Sequence, residues 1–232
     1  MAKVHLGIPT YDNRINAGIL TAVYAASRTP LLRNIQIQSN SWLQRNFNNC
    51  LASALNQRKT GTTHFCLLHE DVIPLEPGWL EQMVAIAQKN SADVLSVIIP
   101  LKANVGLTST ALDEPVRDLD QHWRVKRLTL HEVYKDYPPT FTHPKLLLNT
   151  GLMLIDIRHP WIEDLWFEFE DQIVKDASGT YTDVGVPEDW NFSRKARARG
   201  ASIYATREVK VEHVGNGRWS NAFAWGTQSE DK

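Results

Sequence analysis

Residues 4–99 alternate short apolar runs with stretches of helical spacing, and no other feature restricts the fold as strongly. Val4-His5-Leu6-Gly7-Ile8-Pro9 alternates and then breaks at Thr10-Tyr11-Asp12-Asn13, a strand followed by the loop at its carboxyl end. Residues 15–27 carry apolar side chains at helical spacing, and 35–38 form a short strand. Leu43, Phe47, Leu51, Ala54 and Leu55 make the apolar stripe of a helix over 42–57. A strand over 64–71 follows, then a helix opened by Pro77-Gly78-Trp79, then a buried strand over 93–99. This order predicts one α/β domain with a mostly parallel central sheet flanked by helices.

The second half is less regular. Residues 101–145 are polar, carry Pro115, Pro138, Pro139 and Pro144, and show no long periodic run, so they read as an irregular insert of functional use. Residues 146–148 and 151–155 resume the core around Asn149-Thr150-Gly151. The aromatics Trp161, Trp166, Phe167 and Phe169 suggest a helix over 160–175. Pro187, two acidic residues, then Arg197, Arg199 and Gly200 bracket a well-marked helix over 187–199. Strands follow at 202–205 and 209–214, and the chain from Gly215 reads as loop. The expected organisation is one domain over 1–217 and a tail over 218–232.

Composition excludes several classes. Apolar residues are 43% and charged residues 22%, ordinary for a globular protein. Lys plus Arg (25) nearly balances Asp plus Glu (26), so a strong nucleic-acid signal is missing. Two local basic clusters, Arg124/Lys126/Arg127 and Arg194/Lys195/Arg197/Arg199, read by default as solvated surface. Cys50 and Cys66 fall in apolar patterns and read as core residues. No apolar run approaches membrane-spanning length and no signal sequence is evident, so no membrane partner and a cytoplasmic location are expected. GxGxxG and GxxxxGK[ST] are both missing, which argues against dinucleotide-binding and P-loop domains.

The candidate chemistry gathers where apolar runs stop. His64-Phe65-Cys66-Leu67-Leu68 ends in His69-Glu70-Asp71, and open α/β sheets bind ligands beyond the carboxyl ends of their strands. If the strand stays extended to residue 71, His69 and Asp71 share a face and can hold a divalent cation; the alternative is a strand running out into a polar turn. Val209, Val211 and His213 alternate onto one face, so His213 ends a buried strand face, as a satisfied core histidine or as a second ligand. Glu188 and Asp189 suit a helix N-terminus as dipole partners, and equally suit a general base. Arg45 opens the helix before the 64–71 strand, where it is either solvated or available to a phosphate.

In order and spacing, these pieces resemble the GT-A class of nucleotide-sugar glycosyltransferases, in particular its family 2-like members. Gly7-Ile8-Pro9-Thr10-Tyr11 is similar to their first strand and nucleoside loop. Arg45-Asn46, Leu51, Ala54-Leu55 and the run from Thr63 to Asp71 resemble the family's RN…AL…DxD stretch, with His69 where the first aspartate usually stands. Pro77-Gly78-Trp79-Leu80 continues the pattern, Asn149-Thr150-Gly151 resembles the acceptor-side strand, Pro187-Glu188-Asp189-Trp190 the acidic helix start, and Val211-Glu212-His213 the late metal-binding histidine. The resemblance covers residues 4–100 and 146–217 and leaves the insert uncovered.

It implies transfer of a sugar from a nucleoside-diphosphate sugar, UDP-linked by preference, to an acceptor hydroxyl. Asp71 and His213, with His69, would hold Mn²⁺ or Mg²⁺; Pro9, Thr10, Tyr11, Arg45, Glu70, Asn149 and Gly151 would line the donor site; Asp189, then Glu188, would act as base. The acceptor is open among a glycan, a protein, a small molecule and a modified nucleobase. Two rivals stand beside this reading. One is a sugar nucleotidyltransferase, against which residues 9–16 offer no glycine and only Arg14 as a cation. The other is a non-catalytic nucleotide- or carbohydrate-binding module, suggested by His69 in the DxD place.

Overall fold

A strand whose side chains are apolar at every position must be covered on both sides, and His64–Leu68 is buried throughout. The computed structural model describes residues 2–114, 125–175 and 177–226. The first half runs β1 (Val4–Thr10), α1 (Ala17–Ser27), β2 (Leu32–Ser39), α2 (Leu43–Asn56), β3 (His64–Leu68), β4 (Val72–Pro74), α3 (Trp79–Asn90) and β5 (Val94–Val97). Next come β6 (Leu107–Leu112), β7 (Lys126–Thr129), α4 (Leu130–Asp136), β8 (Thr140–Phe141), β9 (Leu146–Leu147) and β10 (Leu152–Asp156). The chain ends with β11 (Glu170–Lys175), β12 (Tyr181–Val186), α5 (Glu188–Ala198), β13 (Ile203–Thr206), β14 (Val211–Val214) and β15 (Arg218–Ser220).

The central sheet has seven strands in the order β2-β1-β3-β10-β5-β13-β8. Strands β2, β1, β3, β5 and β13 run one way, and β10 and β8 the other. The expectation of an α/β domain with a mostly parallel sheet flanked by helices is met. Alternation along β3 divides the core. Phe65 and Leu67 face Phe47, Cys50 and Leu51 of α2 and Phe192 of α5, whereas Cys66 and Leu68 face Ile19 of α1 and Trp79, Leu80 and Met83 of α3. Cys50 and Cys66 are free, buried and on opposite sides of the sheet, as expected of core residues. Helix α2 sits so close to β1 that a Cβ on Gly7 would lie 2.7 Å from the Cys50 Cβ, so only glycine fits there.

Three expectations are corrected. The described part of 101–145 is ordered and belongs to the core: Leu112, Leu128, Leu130, Val133 and Phe141 join the α2–α5 side, and β8 pairs with β13. Thr129 and Glu132 form a reciprocal capping box that starts α4, and the helix is too short for its periodicity to be read. The helix expected over 160–175 is absent. A 3₁₀ turn at Pro160–Asp164 leads into extended chain and β11, because Phe167 is drawn into an aromatic stack with Phe47 and Phe192 rather than onto a helix face. The stretch from Gly215 contains β15 paired with β14, and the buried Asn221 side chain donates to the carbonyls of Ile98 (3.0 Å) and Val209 (3.1 Å).

Candidate functional site

Antiparallel insertion of β10 builds the site. Leu152 pairs with Leu68, so the turn that enters β10 lies at the carboxyl end of β3. Gly151 accepts a hydrogen bond from the His69 amide (2.8 Å), and a Cβ at 151 would meet the Ile99 Cδ1 at 2.4 Å. Asn149 is buried and its side chain holds this turn: Nδ2 donates to the Val97 carbonyl (2.8 Å), and Oδ1 accepts from the Gly151 amide (3.1 Å). Of the two residues expected to line a donor site here, Asn149 thus acts through the turn it shapes.

The strand does not stay extended to residue 71. After Leu68 the chain turns, the Val72 amide donating to the His69 carbonyl at 3.2 Å, and re-emerges as β4. Strand β4 pairs with β14 in a small three-stranded sheet, Val72 opposite His213, and the Val214 amide donates to the Asp71 carbonyl at 2.7 Å. Tertiary pairing, not strand alternation, therefore brings Asp71 to His213. Their Oδ2 and Nε2 atoms are 3.5 Å apart. The His213 Nδ1–H donates to the Pro100 carbonyl (2.8 Å), which orients the ring so that Nε2 faces the carboxylate. Lys102 Nζ lies 2.5 Å from the same Asp71 oxygen. Burial works against the Asp71 charge, but His213 and Lys102 outweigh it and hold the carboxyl well below its usual range.

His69 keeps to the α2 side of the sheet, its ring 5.0 Å from that of Phe47, and burial pushes its pKa down to about 4. Burial pushes the Glu70 carboxyl upward, although the nearby Tyr11 amide favours its charge. Pro9 and Thr10 end β1 with their side chains inside, whereas Tyr11 is exposed. Asn46 was missed as a site residue, although it falls in the apolar stripe of its helix. Its Nδ2 donates to the carbonyls of Thr10 (2.9 Å) and Asn40 (3.0 Å), tying β1 to the start of α2. Lys102 was missed too, and no sequence pattern marks it. Arg45 is exposed on the outer side of α2, in a groove beside this edge.

Glu188 and Asp189 start α5, next to the structured insert. Trp190 Nε1 donates to the Ser109 carbonyl (3.1 Å), the Arg127 guanidinium lies 5.0 Å from the Trp190 ring, and Arg127 also feels the Asp189 charge. Burial and the Glu188 charge hold the Asp189 carboxyl well above its usual range, while burial raises Glu188. Among the described residues no hydrogen bond or ion pair joins this acidic pair to Asp71 and His213; the link runs through β9–β10, where Ser193 of α5 accepts from the Leu148 amide at 2.9 Å.

Buried polar atoms without a partner call for one, be it water, an ion or a ligand. Among the described residues, Asn46 Oδ1, His69 Nε2, Glu70 Oε2, Asp71 Oδ1 and Gln82 Oε1 are buried without a hydrogen-bond partner, and all but Gln82 belong to this edge. No group of three or more His, Cys, Asp or Glu side chains forms a metal cage among the described residues. The donors present suit a divalent cation only as a partial set, one carboxylate oxygen and one or two imidazole nitrogens, with the remaining positions left to oxygen ligands from a substrate.

The basic clusters are engaged internally. Lys126 pairs with Glu132 (3.0 Å), Arg194 grips Asp113 through two bonds (2.9 and 2.6 Å), Lys195 pairs with Glu168, and Arg197 donates to the Leu146 carbonyl (2.5 Å). Arg124 lies outside the described residues. Among the described residues no helix is long and apolar enough to cross a membrane.

No family model and no curated protein matches the chain. Among solved structures it is similar to A197 from STIV, with a TM-score of 0.57 at 14% identity over 100% of this chain and 97% of that one. It is more loosely similar to an apo UDP-glucose pyrophosphorylase (TM-score 0.45, 12% identity, 92% and 93% covered). A putative glucose-1-phosphate thymidylyltransferase from Bacillus anthracis is similarly distant (TM-score 0.44, 9% identity, 94% and 88% covered). The likeness to A197 concerns the fold alone, and the two looser ones carry no argument about activity.

Proposed function

We propose that the carboxyl edge of the sheet binds a nucleoside-diphosphate sugar and that the protein transfers the sugar to an acceptor hydroxyl. The observation that carries the reading is that Asn46 Oδ1, His69 Nε2, Glu70 Oε2 and Asp71 Oδ1, each buried and unpartnered, belong to the edge where an open α/β sheet binds ligands.

Each residue then has a task. The backbone of Pro9–Tyr11, fixed by Asn46, would border the nucleoside, with the exposed Tyr11 ring free to pack on base or ribose. Glu70, beside the Tyr11 amide, would face the ribose hydroxyls. Lys102, now paired with Asp71, would turn to the diphosphate once that contact loosens. Asp71 and His213, with His69 beside them, would hold Mn²⁺ or Mg²⁺, a nitrogen donor tilting the choice to Mn²⁺; when bound, such an ion neutralises the charge that develops on a departing diphosphate.

In an inverting displacement the acceptor oxygen attacks the anomeric carbon, the bond from that carbon to the diphosphate oxygen breaks, and the acceptor proton goes to Asp189. Once ionised, a carboxylate whose proton affinity is raised by burial is a stronger base than a solvated one, so turnover should rise with pH as Asp189 gives up its proton.

The test is a panel of nucleotide sugars with Mn²⁺, following release of nucleoside diphosphate by wild type and Asp71→Ala. Release by wild type and its loss in the variant are expected. Wild type that binds nucleotide without turnover would leave only a binding module. Pyrophosphate release from a nucleoside triphosphate and a sugar 1-phosphate would make it a nucleotidyltransferase.

A further inference from the structure

An open groove of about 500 Å³ lies beside the carboxyl edge, between the start of α2 and the extended chain that leads into β11. Its walls include Trp42 and Arg45 on one side and Trp166 and Glu168 on the other, with Phe167 beneath. The second wall is clamped in place. Asn48 Nδ2 donates to the Phe167 carbonyl (2.8 Å) and the Phe167 amide donates back to Asn48 Oδ1 (2.8 Å). From α5, the buried Asn191 donates to the Glu168 carbonyl (3.1 Å) and to Glu170 Oε1 (2.9 Å).

The Trp166 plane is itself fixed. Its indole N–H donates to Glu168 Oε2 (2.6 Å), and Lys195, paired with the same carboxylate, lies 5.4 Å from the ring centroid. Large aromatic faces nonetheless stay open, Trp42 being 70% and Trp166 51% exposed. Gln44 and Arg45, on the rim, have no side-chain partner among the described residues.

Packed side chains connect the groove to both halves of the proposed reaction. Phe167 meets Phe47 edge-on at 5.4 Å, and Phe47 is 5.0 Å from His69. Asn191, which ties down the aromatic wall, lies about one turn along α5 from Glu188.

We propose that this groove is the acceptor subsite and that its ligand is a neutral sugar ring of a glycan. The assignment rests on the sugar-nucleotide reading of the adjoining edge. A pyranose has an apolar C–H face bordered by hydroxyls. The fixed Trp166 plane and the exposed Trp42 ring match the face, and a free amide and a guanidinium on the rim match the hydroxyls. A polyanion fits poorly, because Glu168 lines the groove and the Lys195 ammonium beside it is already paired with that carboxylate.

The experiment is retention of the intact chain on an array of neutral and acidic oligosaccharides and single-stranded DNA, then titration with the best-retained neutral oligosaccharide, with UDP binding measured in parallel. Wild type is expected to retain a neutral glycan. Trp42→Ala and Trp166→Ala should each weaken that binding about tenfold, which is about 1.4 kcal/mol, with UDP affinity kept within about twofold. Trp42 is exposed and its side chain makes no capping bond, so its variant keeps the test valid even if Trp166→Ala folds poorly. Retention of no neutral glycan, preferential retention of acidic glycans or DNA, or a Trp42→Ala protein that binds as wild type would each overturn the proposal. Glycan binding without UDP binding would support the groove while removing the donor reading, so the two failures are distinct.

Discussion

Replacing Asn46 with alanine should destabilise the protein by about 1.5–3.5 kcal/mol, and the figure follows from three contributions. Asn46 is fully buried, and its Nδ2 donates to the carbonyls of Thr10 and Asn40 at 2.9 and 3.0 Å. Loss of each bond costs about 1 kcal/mol net, and a carbonyl left buried without a donor costs up to about 3 kcal/mol. Thr10 is buried and bears the larger cost, whereas the neighbourhood of Asn40 is half-buried and can be rehydrated. The sum is about 2–4 kcal/mol. Alanine returns about 0.5 kcal/mol through its better helix propensity. Urea unfolding monitored by circular dichroism reads the difference, provided the m-value is unchanged. Asn46→Asp should be worse than alanine, since it removes both donors and points carboxylate oxygens at two carbonyls. A loss below about 0.5 kcal/mol for Asn46→Ala would refute the idea that this side chain joins β1 to α2.

Other perturbations test other joints of the site. Lys102→Ala removes the ammonium beside Asp71, so Mn²⁺ titrated alone should bind up to about fivefold more tightly, the discount reflecting a contact that is one-third exposed; weaker Mn²⁺ binding would count against direct competition. Asp189→Asn should stabilise the protein at pH 7. The folded carboxyl holds its proton above the unfolded value, so its favourable contribution is complete below about pH 4 and is lost as pH rises through the raised folded value. The gain over wild type in urea should therefore vanish near pH 4, and equal stability at pH 7 would contradict the burial argument. Gly151→Ala puts a Cβ 2.4 Å from the Ile99 Cδ1 and should cost about 1–3 kcal/mol. Adding Ile99→Val, which deletes that carbon, should recover most of the loss; a second loss of equal size would show that the clash lies elsewhere.

Legibility in the sequence depended on whether local pattern or distant pairing decides the geometry. The α/β alternation was readable because strands such as β3 are buried on both faces and α2 carries a regular apolar stripe. Helix α5 was bounded by Pro187 and Gly200, both visible in the sequence. The aromatics of 160–175 misled because their spacing mimics a helix, whereas Phe167 is placed by rings from α2 and α5. His69, Glu70, Asp71 and His213 were recognisable as polar ends of apolar runs. The reason Asp71 meets His213 was not, since it lies in the pairing of β4 with β14 across a long stretch of chain. Lys102 carries no pattern of its own and reaches Asp71 from the loop after β5.

The central claim is that the carboxyl edge holds a nucleoside diphosphate with a divalent ion between Asp71 and His213. A crystal of the protein soaked with UDP and Mn²⁺ tests it most directly. The account predicts anomalous density for one ion in contact with Asp71, His213 Nε2 and the diphosphate, with Lys102 moved off the Asp71 carboxylate. UDP bound elsewhere, or bound at this edge with the Lys102–Asp71 contact intact and no ion beside it, would contradict it.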